Sequence, residues 1–355
     1  MFDLNKLLRD NIKKLVPYSS ARDEFQGEAS VYLDANENSF GSPLSQAYNR
    51  YPDPLQIKLK EKVAGIKGIT PPHIFLGNGS DECIDILYRA FCHPGRDNVV
   101  ICPPTYGMYE VSAHINDVEV RNVPLTLDYQ LDLPGIEAAV DGHTRLIFLC
   151  SPNNPTGNAL RREDVELVLN NFPGVVVIDE AYINFSKYRS FIQELPEYPN
   201  LVVLQTLSKA WGLAALRIGM AFASPELVAV FNRIKPPYNI NQASQELALA
   251  ALGQVEQVNR WIRETVHARQ QLKTQLEKLS IVEKVYPSEA NFLLVKTTDP
   301  AGIYGFLVRD GIIVRDRSRV ELCEGCLRIT IGTPAENEKL LAALNDYQRL
   351  KMKGE

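Results

Sequence analysis

The chain has 355 residues and a formal net charge of −5, with 45% apolar and 23% charged residues. This apolar content excludes intrinsic disorder as the main state, because enough apolar surface is available to offset the entropy of ordering. The negative charge argues against nucleic-acid binding, which needs a basic surface, and no stretch approaches the ~20 apolar residues that span a bilayer.

The N-terminal residues and the cysteines indicate the cellular compartment of the protein. The first fifteen residues alternate apolar with charged side chains and do not resemble a secretory signal. Six cysteines in so long a chain are no disulfide framework, and most stand among apolar neighbours, as reduced core thiols do. We therefore expect a cytoplasmic protein.

Apolar runs alternate with amphipathic segments in the middle of the chain. Residues 81–91 and 162–170 carry apolar side chains at helical spacing. Four continuous apolar runs predict strands that are buried on both faces, as in a parallel sheet covered by helices. These runs are residues 98–102, 145–150, 175–179 and 201–206. Such alternation predicts a doubly wound α/β fold with right-handed crossovers.

The pattern changes after about residue 243. Apolar residues recur every three to four positions over 245–279, which predicts one or two long helices. Beyond them we expect a smaller α+β domain, with strands and a final helix at 291–295, 311–314, 326–331 and 334–350.

These changes in pattern suggest three parts of the chain. We expect residues 1–40 to form an arm that packs on the small domain or on a partner subunit. Residues 41–268 would form the large cofactor-binding domain, and residues 269–355 the small C-terminal domain.

Four polar clusters follow predicted strands, and ligands of open α/β sheets bind at the carboxyl ends of strands. Each cluster alone also has an ordinary explanation as a turn or a helix cap. The clusters are residues 77–82, 151–157 and 179–182, and Ser208 and Lys209 with Arg217 beyond them.

Two of these clusters together favour a phosphate group next to a reactive amine. Lys209 follows a strand near the expected switch point of the sheet, where partial desolvation lowers the pKa of an amine and makes it a nucleophile. Residues 79–82 at a helix start offer free N–H groups to a phosphate, and Ser208 and Arg217 are further donors.

The other polar residues favour a flat, nitrogen-containing ring. Asp179 can pair with a protonated ring nitrogen, while Asn154 and Tyr182 can donate to a phenolate oxygen. Tyr106 offers an aromatic face for stacking. A lysine, a phosphate cradle, a carboxylate and an aromatic platform together describe pyridoxal 5′-phosphate.

Three segments carry a family resemblance. SPNNPTG at 151–157, VVIDEAY at 176–182 and TLSKAWGLAALRIG at 206–219 resemble the fold-type I pyridoxal-phosphate aminotransferases of class II. The resemblance implies a large domain with a mostly parallel seven-stranded sheet flanked by helices, plus the smaller α+β domain.

A further set of segments is similar to the histidinol-phosphate aminotransferases within that class. These are residues 33–38, 49–54, 77–82 and 326–333. This resemblance implies transfer of the amino group of L-histidinol phosphate to 2-oxoglutarate, which forms 3-(imidazol-4-yl)-2-oxopropyl phosphate and L-glutamate in histidine biosynthesis.

The resemblance also implies roles for the cofactor residues. Lys209 would carry the cofactor, Asp179 would hold the ring nitrogen, and Asn154 and Tyr182 would hold the ring hydroxyl oxygen. Tyr51 resembles the tyrosine that reaches the cofactor phosphate of a neighbouring subunit, which implies a homodimer. The phosphate would be bound by Gly79, Ser80, Asp81, Thr206, Ser208 and Arg217.

Substrate binding is assigned by resemblance to two arginines and two N-terminal residues. Arg328 matches the arginine that takes the substrate carboxylate in most of the superfamily, a place that the phosphate of histidinol phosphate would occupy. Arg315 matches a second phosphate-binding arginine, and Tyr18 a tyrosine that closes over the substrate. Asn36 is a further substrate-binding candidate.

Several alternatives remain open at this point. The chain could be an aromatic or broad-specificity aminotransferase, or a phosphothreonine decarboxylase of the same superfamily. A transcription regulator with an aminotransferase-like domain would need a DNA-binding unit, for which the N-terminal residues leave no room. Cys323 and Cys326 favour a turn before a strand over a metal or redox site, and we predict no metal.

Overall fold

A seven-stranded sheet forms the centre of the molecule. The structure is a computed structural model that describes residues 2–18 and 29–353. The strands of this sheet are β1 Ile74–Asn78, β2 Asn98–Ile101, β3 Glu119–Asn122, β4 Thr144–Cys150, β5 Val175–Asp179, β6 Leu201–Thr206 and β7 Ile218–Ala223.

The sheet is mostly parallel, as predicted. Its strand order is β1-β7-β6-β5-β4-β2-β3, and β7 runs antiparallel to both of its neighbours while the other pairs are parallel. The carboxyl ends of β1, β2, β4, β5 and β6 therefore meet at one edge.

Helices cover both faces of this sheet. Val176 and Ile178 of β5 belong to the apolar cluster on one face, and Val175 and Val177 to the cluster on the other. This alternation explains the continuous apolar run of the strand, because a strand covered on both sides needs apolar residues at every position.

The helices have the following bounds. They are α1 Leu4–Leu7, α2 Asp10–Lys13, α3 Ile57–Lys67, α4 Gly79–Phe91, α5 Met108–Ile115, α6 Leu133–Ala139, α7 Arg162–Asn171, α8 Pro225–Ile234, α9 Gln242–Ala251, α10 Val255–Leu276, α11 Pro300–Arg309 and α12 Pro334–Lys353.

A second sheet, antiparallel throughout, lies in the C-terminal part. Its order is β10-β11-β9-β8, and α10, α11 and α12 contribute apolar residues to its core. The strands are β8 Val282–Val285, β9 Phe292–Thr297, β10 Arg315–Asp316 and β11 Cys326–Thr330. The α/β fold with a separate small sheet is thus confirmed.

Some local predictions differ from the structure. The strand predicted at 311–314 is wrong: Gly311 has φ +71° in the turn after α11, and strand pairing starts only at Arg315. Gly77 and Asn78 are the end of β1 and do not follow it. The prediction of one or two long helices over 245–279 is confirmed: the segment contains two helices, α9 and α10, separated at residues 252–254.

The start of the chain packs on the large sheet's helices. Leu7, Leu8 and Ile12 are buried in the cluster that contains α4 and α8, and the Arg9 N–H donates to the Ala90 carbonyl at 3.1 Å. The arm on the small domain or a partner subunit that the sequence predicts for residues 1–40 stays a prediction, and residues 19–28 of it lie outside the described residues. The boundary between residues 268 and 269, which falls inside α10, stays a prediction.

Within residues 2–18 and 29–353, no helix has the length and apolar content needed to cross a membrane.

Candidate active site

A pocket lies where the parallel strands of the large sheet end. Cys150, Asp179 and Thr206 close β4, β5 and β6, and all three line it. The segments that follow β1 and β2 contribute the rest of that edge, since the carboxyl ends of these strands meet there. The other lining residues are Ser80, Asp81, Tyr106, Asn154, Ala181, Tyr182, Ser208, Lys209 and Arg217.

Lys209 presents its amine to this pocket. Burial lowers the pKa of the Lys209 ammonium, and the positive charge of Arg328 lowers it further. The Nζ atom lies 5.6 Å from the centre of the Tyr182 ring, and it makes no hydrogen bond or ion pair with residues in the described part of the chain. A lysine with a lowered pKa has more of the neutral, nucleophilic form at neutral pH.

Asp179 forms the floor of the pocket. Its side chain is 3% exposed, and it accepts hydrogen bonds from the Tyr109 hydroxyl at 2.7 Å and the Ala181 N–H at 3.0 Å. Burial raises the pKa of the Asp179 carboxyl, and no cation of the described residues forms an ion pair with it. A buried carboxylate without a cation fits a protonated ring nitrogen.

One end of the pocket is a cradle of backbone and hydroxyl donors. Helix α4 begins at Gly79, whose φ is +71°, and a Cβ atom there would come 2.5 Å from Arg217 Nη2. A side chain at Gly219 would collide with the Gly79 backbone, 2.1 Å away. The helix start therefore approaches β7 closely, and its free N–H groups and positive dipole end face the pocket.

Side chains complete this cradle. The Thr206 hydroxyl donates to Ser208 Oγ at 3.0 Å, and Arg217 contacts Ser208 Oγ at 3.4 Å and the Asp81 carboxylate at 3.4 Å. Tyr106 also donates to Asp81, at 3.0 Å. Asp81 thus orients both the arginine and the aromatic ring, and the donor set suits a phosphate group.

The remaining predicted ring contacts, Asn154 and Tyr182, also line the pocket. Asn154 follows β4 after a cis Ser151-Pro152 bond and precedes another cis bond to Pro155. Its Oδ1 accepts a hydrogen bond from Arg328. Tyr182 is 7% exposed, and burial raises the pKa of its hydroxyl.

Other predicted residues lie outside this pocket. Arg315 stands opposite Arg328 in the register of β10 and β11 and is exposed. Tyr51 and Asn36 line a separate surface hollow, where Tyr51 stacks on Tyr238 with ring centres 4.6 Å apart. Tyr18 is 75% exposed and lines a third hollow.

Two residues near the site have no place in the sequence prediction. Tyr109 donates a hydrogen bond to Asp179. It lies three residues after Tyr106, so helical spacing from Tyr106 could have indicated that the two rings share one side of a helix. Burial lowers the pKa of Arg328, and the charge of Arg317 lowers it further. In the sequence, Arg317 could have been found from its two-residue spacing to Arg315, which places both side chains on one face of a strand.

Cys323 and Cys326 form a turn, as predicted. The Cys326 N–H donates to the Cys323 carbonyl at 3.0 Å, and both thiols are buried. Burial raises their pKa values to about 12 and about 11. Among residues 2–18 and 29–353, no group of three or more metal-ligating side chains clusters.

Comparison with known proteins identifies the family. The family model for aminotransferase class I and II matches residues 30–344. The chain belongs to this family. A histidinol-phosphate aminotransferase of Cytophaga hutchinsonii is 54% identical over 98% of this chain and 99% of its own length. Another, of Parabacteroides distasonis, is 54% identical over 98% and 100%.

A solved structure agrees with this assignment. The histidinol-phosphate aminotransferase of Sinorhizobium meliloti, determined in complex with pyridoxal-5′-phosphate, superposes with a TM-score of 0.79 at 28% identity. The superposition covers 89% of this chain and 90% of that one. The architecture is therefore that of the fold-type I aminotransferases, as expected from the sequence.

Proposed function

We propose that this chain is a pyridoxal 5′-phosphate-dependent aminotransferase of histidine biosynthesis. It would convert L-histidinol phosphate and 2-oxoglutarate to 3-(imidazol-4-yl)-2-oxopropyl phosphate and L-glutamate. The observation that carries the proposal is the position of Arg328, which stands opposite Arg315 and bonds to Asn154 in the wall of the Lys209 pocket. An anion-binding group thus lies beside the reactive amine. The full-length relatives that carry the histidinol-phosphate aminotransferase name support it.

The pocket residues fit the cofactor. Asp179, buried without an ion pair from the described residues, would hold the ring nitrogen in its protonated form, and the α4 start with Ser208 and Arg217 would bind the phosphate. Asn154 and Tyr182 would hold the ring hydroxyl oxygen.

Lys209 would carry out the proton transfers. When bound, pyridoxal 5′-phosphate supplies an aldehyde that takes up the amino group and a ring that accepts electrons. Lys209 Nζ, whose pKa is lowered by burial, would hold the cofactor until the amino group of the donor displaces it, and the freed amine would then take the proton from Cα of that donor. Asp179 would keep the ring nitrogen charged throughout, since Tyr109 and Ala181 stabilise its ionised form.

The arginines would select the substrate. A phosphate monoester needs several charged donors, and Arg328 and Arg315 are adjacent across β10 and β11. Glutamate would use the same arginines for its carboxylates in the return half-reaction. Tyr18 and Asn36 remain proposed substrate contacts.

We also propose that the active form is a cytoplasmic homodimer. Tyr51 lies outside the pocket of its own chain and is 51% exposed, which suits a residue that reaches a neighbour's cofactor. Large apolar side chains of the first 40 residues are also exposed, among them Val16, Leu33 and Phe40. A second copy of the chain would cover these side chains, and sedimentation of the cofactor-loaded protein tests this directly.

The proposal is tested by a half-reaction followed in the visible spectrum. Cofactor-loaded protein is mixed, without keto acid, with L-histidinol phosphate, L-phenylalanine or L-glutamate. We expect histidinol phosphate to discharge the cofactor absorbance at far lower concentration than phenylalanine, because only the former brings a phosphate to the arginines.

Two outcomes would overturn it. A protein that prefers phenylalanine would be an aromatic aminotransferase, with the role of Lys209 unchanged. A protein that does not take up the cofactor would remove the catalytic assignment altogether.

A further inference from the structure

A third arginine lies beside the two already assigned to the substrate. In the antiparallel pair of β10 and β11, Arg315 is opposite Arg328 and Asp316 opposite Leu327. The Arg317 N–H donates to the Cys326 carbonyl at 2.9 Å, which extends the pairing by one residue. Since side chains alternate between faces along a strand, Arg315, Arg317 and Arg328 project from the same face.

These three arginines carry positive charge that the neighbouring protein groups do not neutralise. Asp316, the carboxylate nearest in sequence, belongs to the opposite face and accepts hydrogen bonds from the N–H and hydroxyl of Ser318. Within residues 2–18 and 29–353, no carboxylate forms an ion pair with any of the three. Three adjacent guanidinium groups repel one another, so an anion bound among them would be strongly stabilised.

Arg317 itself has an unsatisfied donor. Its Nε atom is buried and has no hydrogen-bond partner in the described part of the chain, and a buried N–H without an acceptor is costly. Burial lowers the pKa of Arg328 and raises the pKa of Tyr182, and the positive charge of Arg317 acts on both groups, adding to the first shift and opposing the second. Arg317 therefore lies next to the pocket wall, with hydrogen-bonding capacity that the protein does not use.

We propose that Arg317 is a third cation of the substrate phosphate site and selects phosphorylated over unphosphorylated amino donors. The inference rests on the proposed function and adds to it a residue outside the two arginines already assigned. A phosphate monoester has up to two negative charges and three terminal oxygens, whereas a carboxylate has one charge and two oxygens. Arg317 therefore matters more for the phosphate than for a carboxylate.

The test compares L-histidinol phosphate with L-histidinol, which differ only in the phosphate. We expect Arg317→Met to lower the ratio of their kcat/KM values by about ten-fold or more, in line with the loss of a charged hydrogen bond. Arg317→Lys, which keeps the charge and loses the planar fork, should lower the ratio by less. Arg319→Met removes the same charge from an exposed position two residues later and should leave the ratio unchanged.

A second readout uses inorganic phosphate as a competitor. Its inhibition constant should rise in Arg317→Met and stay constant in Arg319→Met. Equal losses for both donors, or an unchanged ratio in an enzyme that prefers histidinol phosphate, would overturn the role of Arg317 alone.

A different result would show that the proposed function itself is wrong. In that case the wild-type enzyme would show no preference for histidinol phosphate over other donors. The phosphate competition, measured with whichever donor is active, would then decide on Arg317: weaker inhibition of Arg317→Met supports the site, and equal inhibition of both variants overturns it.

Discussion

The Lys209 pocket and the neighbouring part of the small sheet that carries the arginines, called here the large-domain wall and the small-domain wall, are built differently. On the large-domain wall, Asp179 and Thr206 end adjacent buried strands and are fixed by hydrogen bonds from Tyr109 and to Ser208. On the small-domain wall, the arginines stand on β11 and the two-residue strand β10, with few protein partners. The first wall is therefore preorganised by the fold, whereas the second has charges whose natural partner is a ligand.

This contrast predicts different consequences of substitution. Changes on the large-domain wall should affect the chemical step or stability for every substrate. Changes on the small-domain wall should alter affinity and substrate preference, with little effect on folding.

The largest expected effect is that of Lys209→Ala. We expect kcat/KM with histidinol phosphate to fall by at least about 10³-fold, because the nucleophile and the proton carrier are lost together. The melting temperature should change little, as the Lys209 amine bonds to none of the described residues. Lys339→Ala, at an exposed position of α12, is the control, and a variant of Lys209 within ten-fold of wild type would contradict its role.

Arg328→Ala should affect both amino donors. We expect kcat/KM to fall by about 10²-fold for histidinol phosphate and for glutamate, since each loses a charged, bidentate partner. Cofactor absorbance should persist, because the phosphate cradle is on the other wall. Arg349→Ala, which removes an exposed arginine from α12, is the control and should change neither donor. Loss of cofactor binding in Arg328→Ala would contradict the assignment of cofactor and substrate binding to different walls.

Two buried tyrosines of the large domain allow a matched comparison that tests the role of the hydrogen bond to Asp179. Tyr109→Phe removes the donor to Asp179, whereas Tyr88→Phe removes a buried hydroxyl that donates to the Tyr109 backbone carbonyl at 2.8 Å. Each should destabilise the protein by about 1–3 kcal/mol, the cost of an unsatisfied buried acceptor, as measured by chemical denaturation.

Of these two variants, only Tyr109→Phe should change the pH dependence of kcat/KM. Burial raises the pKa of Asp179, and the Tyr109 hydrogen bond opposes this effect. Removing the hydrogen bond raises the pKa further, so Asp179 becomes protonated at higher pH. The acid limb of the kcat/KM profile should therefore move to higher pH in Tyr109→Phe and stay in place in Tyr88→Phe. Equal profiles in the two variants would show that the hydroxyl does not tune Asp179.

The smallest effect is expected for Tyr18→Phe. Loss of one neutral hydrogen bond to the phosphate should lower kcat/KM for histidinol phosphate by about 2- to 10-fold and affect glutamate less. Tyr188→Phe, another exposed tyrosine, should change neither. Equal losses for the two donors would count against Tyr18 as a phosphate contact.

Much of the large-domain wall could be predicted from the sequence. The run Val175–Asp179 is apolar at four positions and ends in a carboxylate, so both the strand and the place of Asp179 follow from local pattern. The strand Ile218–Ala223 escaped prediction, because its glycine and alanines carry little strand propensity and its pairing with β1 and β6 stabilises it.

The sequence by itself determined the fold class, the pocket edge and the place of Lys209 at that edge, because these depend on residues that lie within single segments. Only the tertiary structure decided that Tyr109 holds Asp179 and that Arg317 joins Arg315 and Arg328 on one face. Such contacts join segments far apart in the chain, and the register between them is set by packing and strand pairing, which local sequence patterns do not encode.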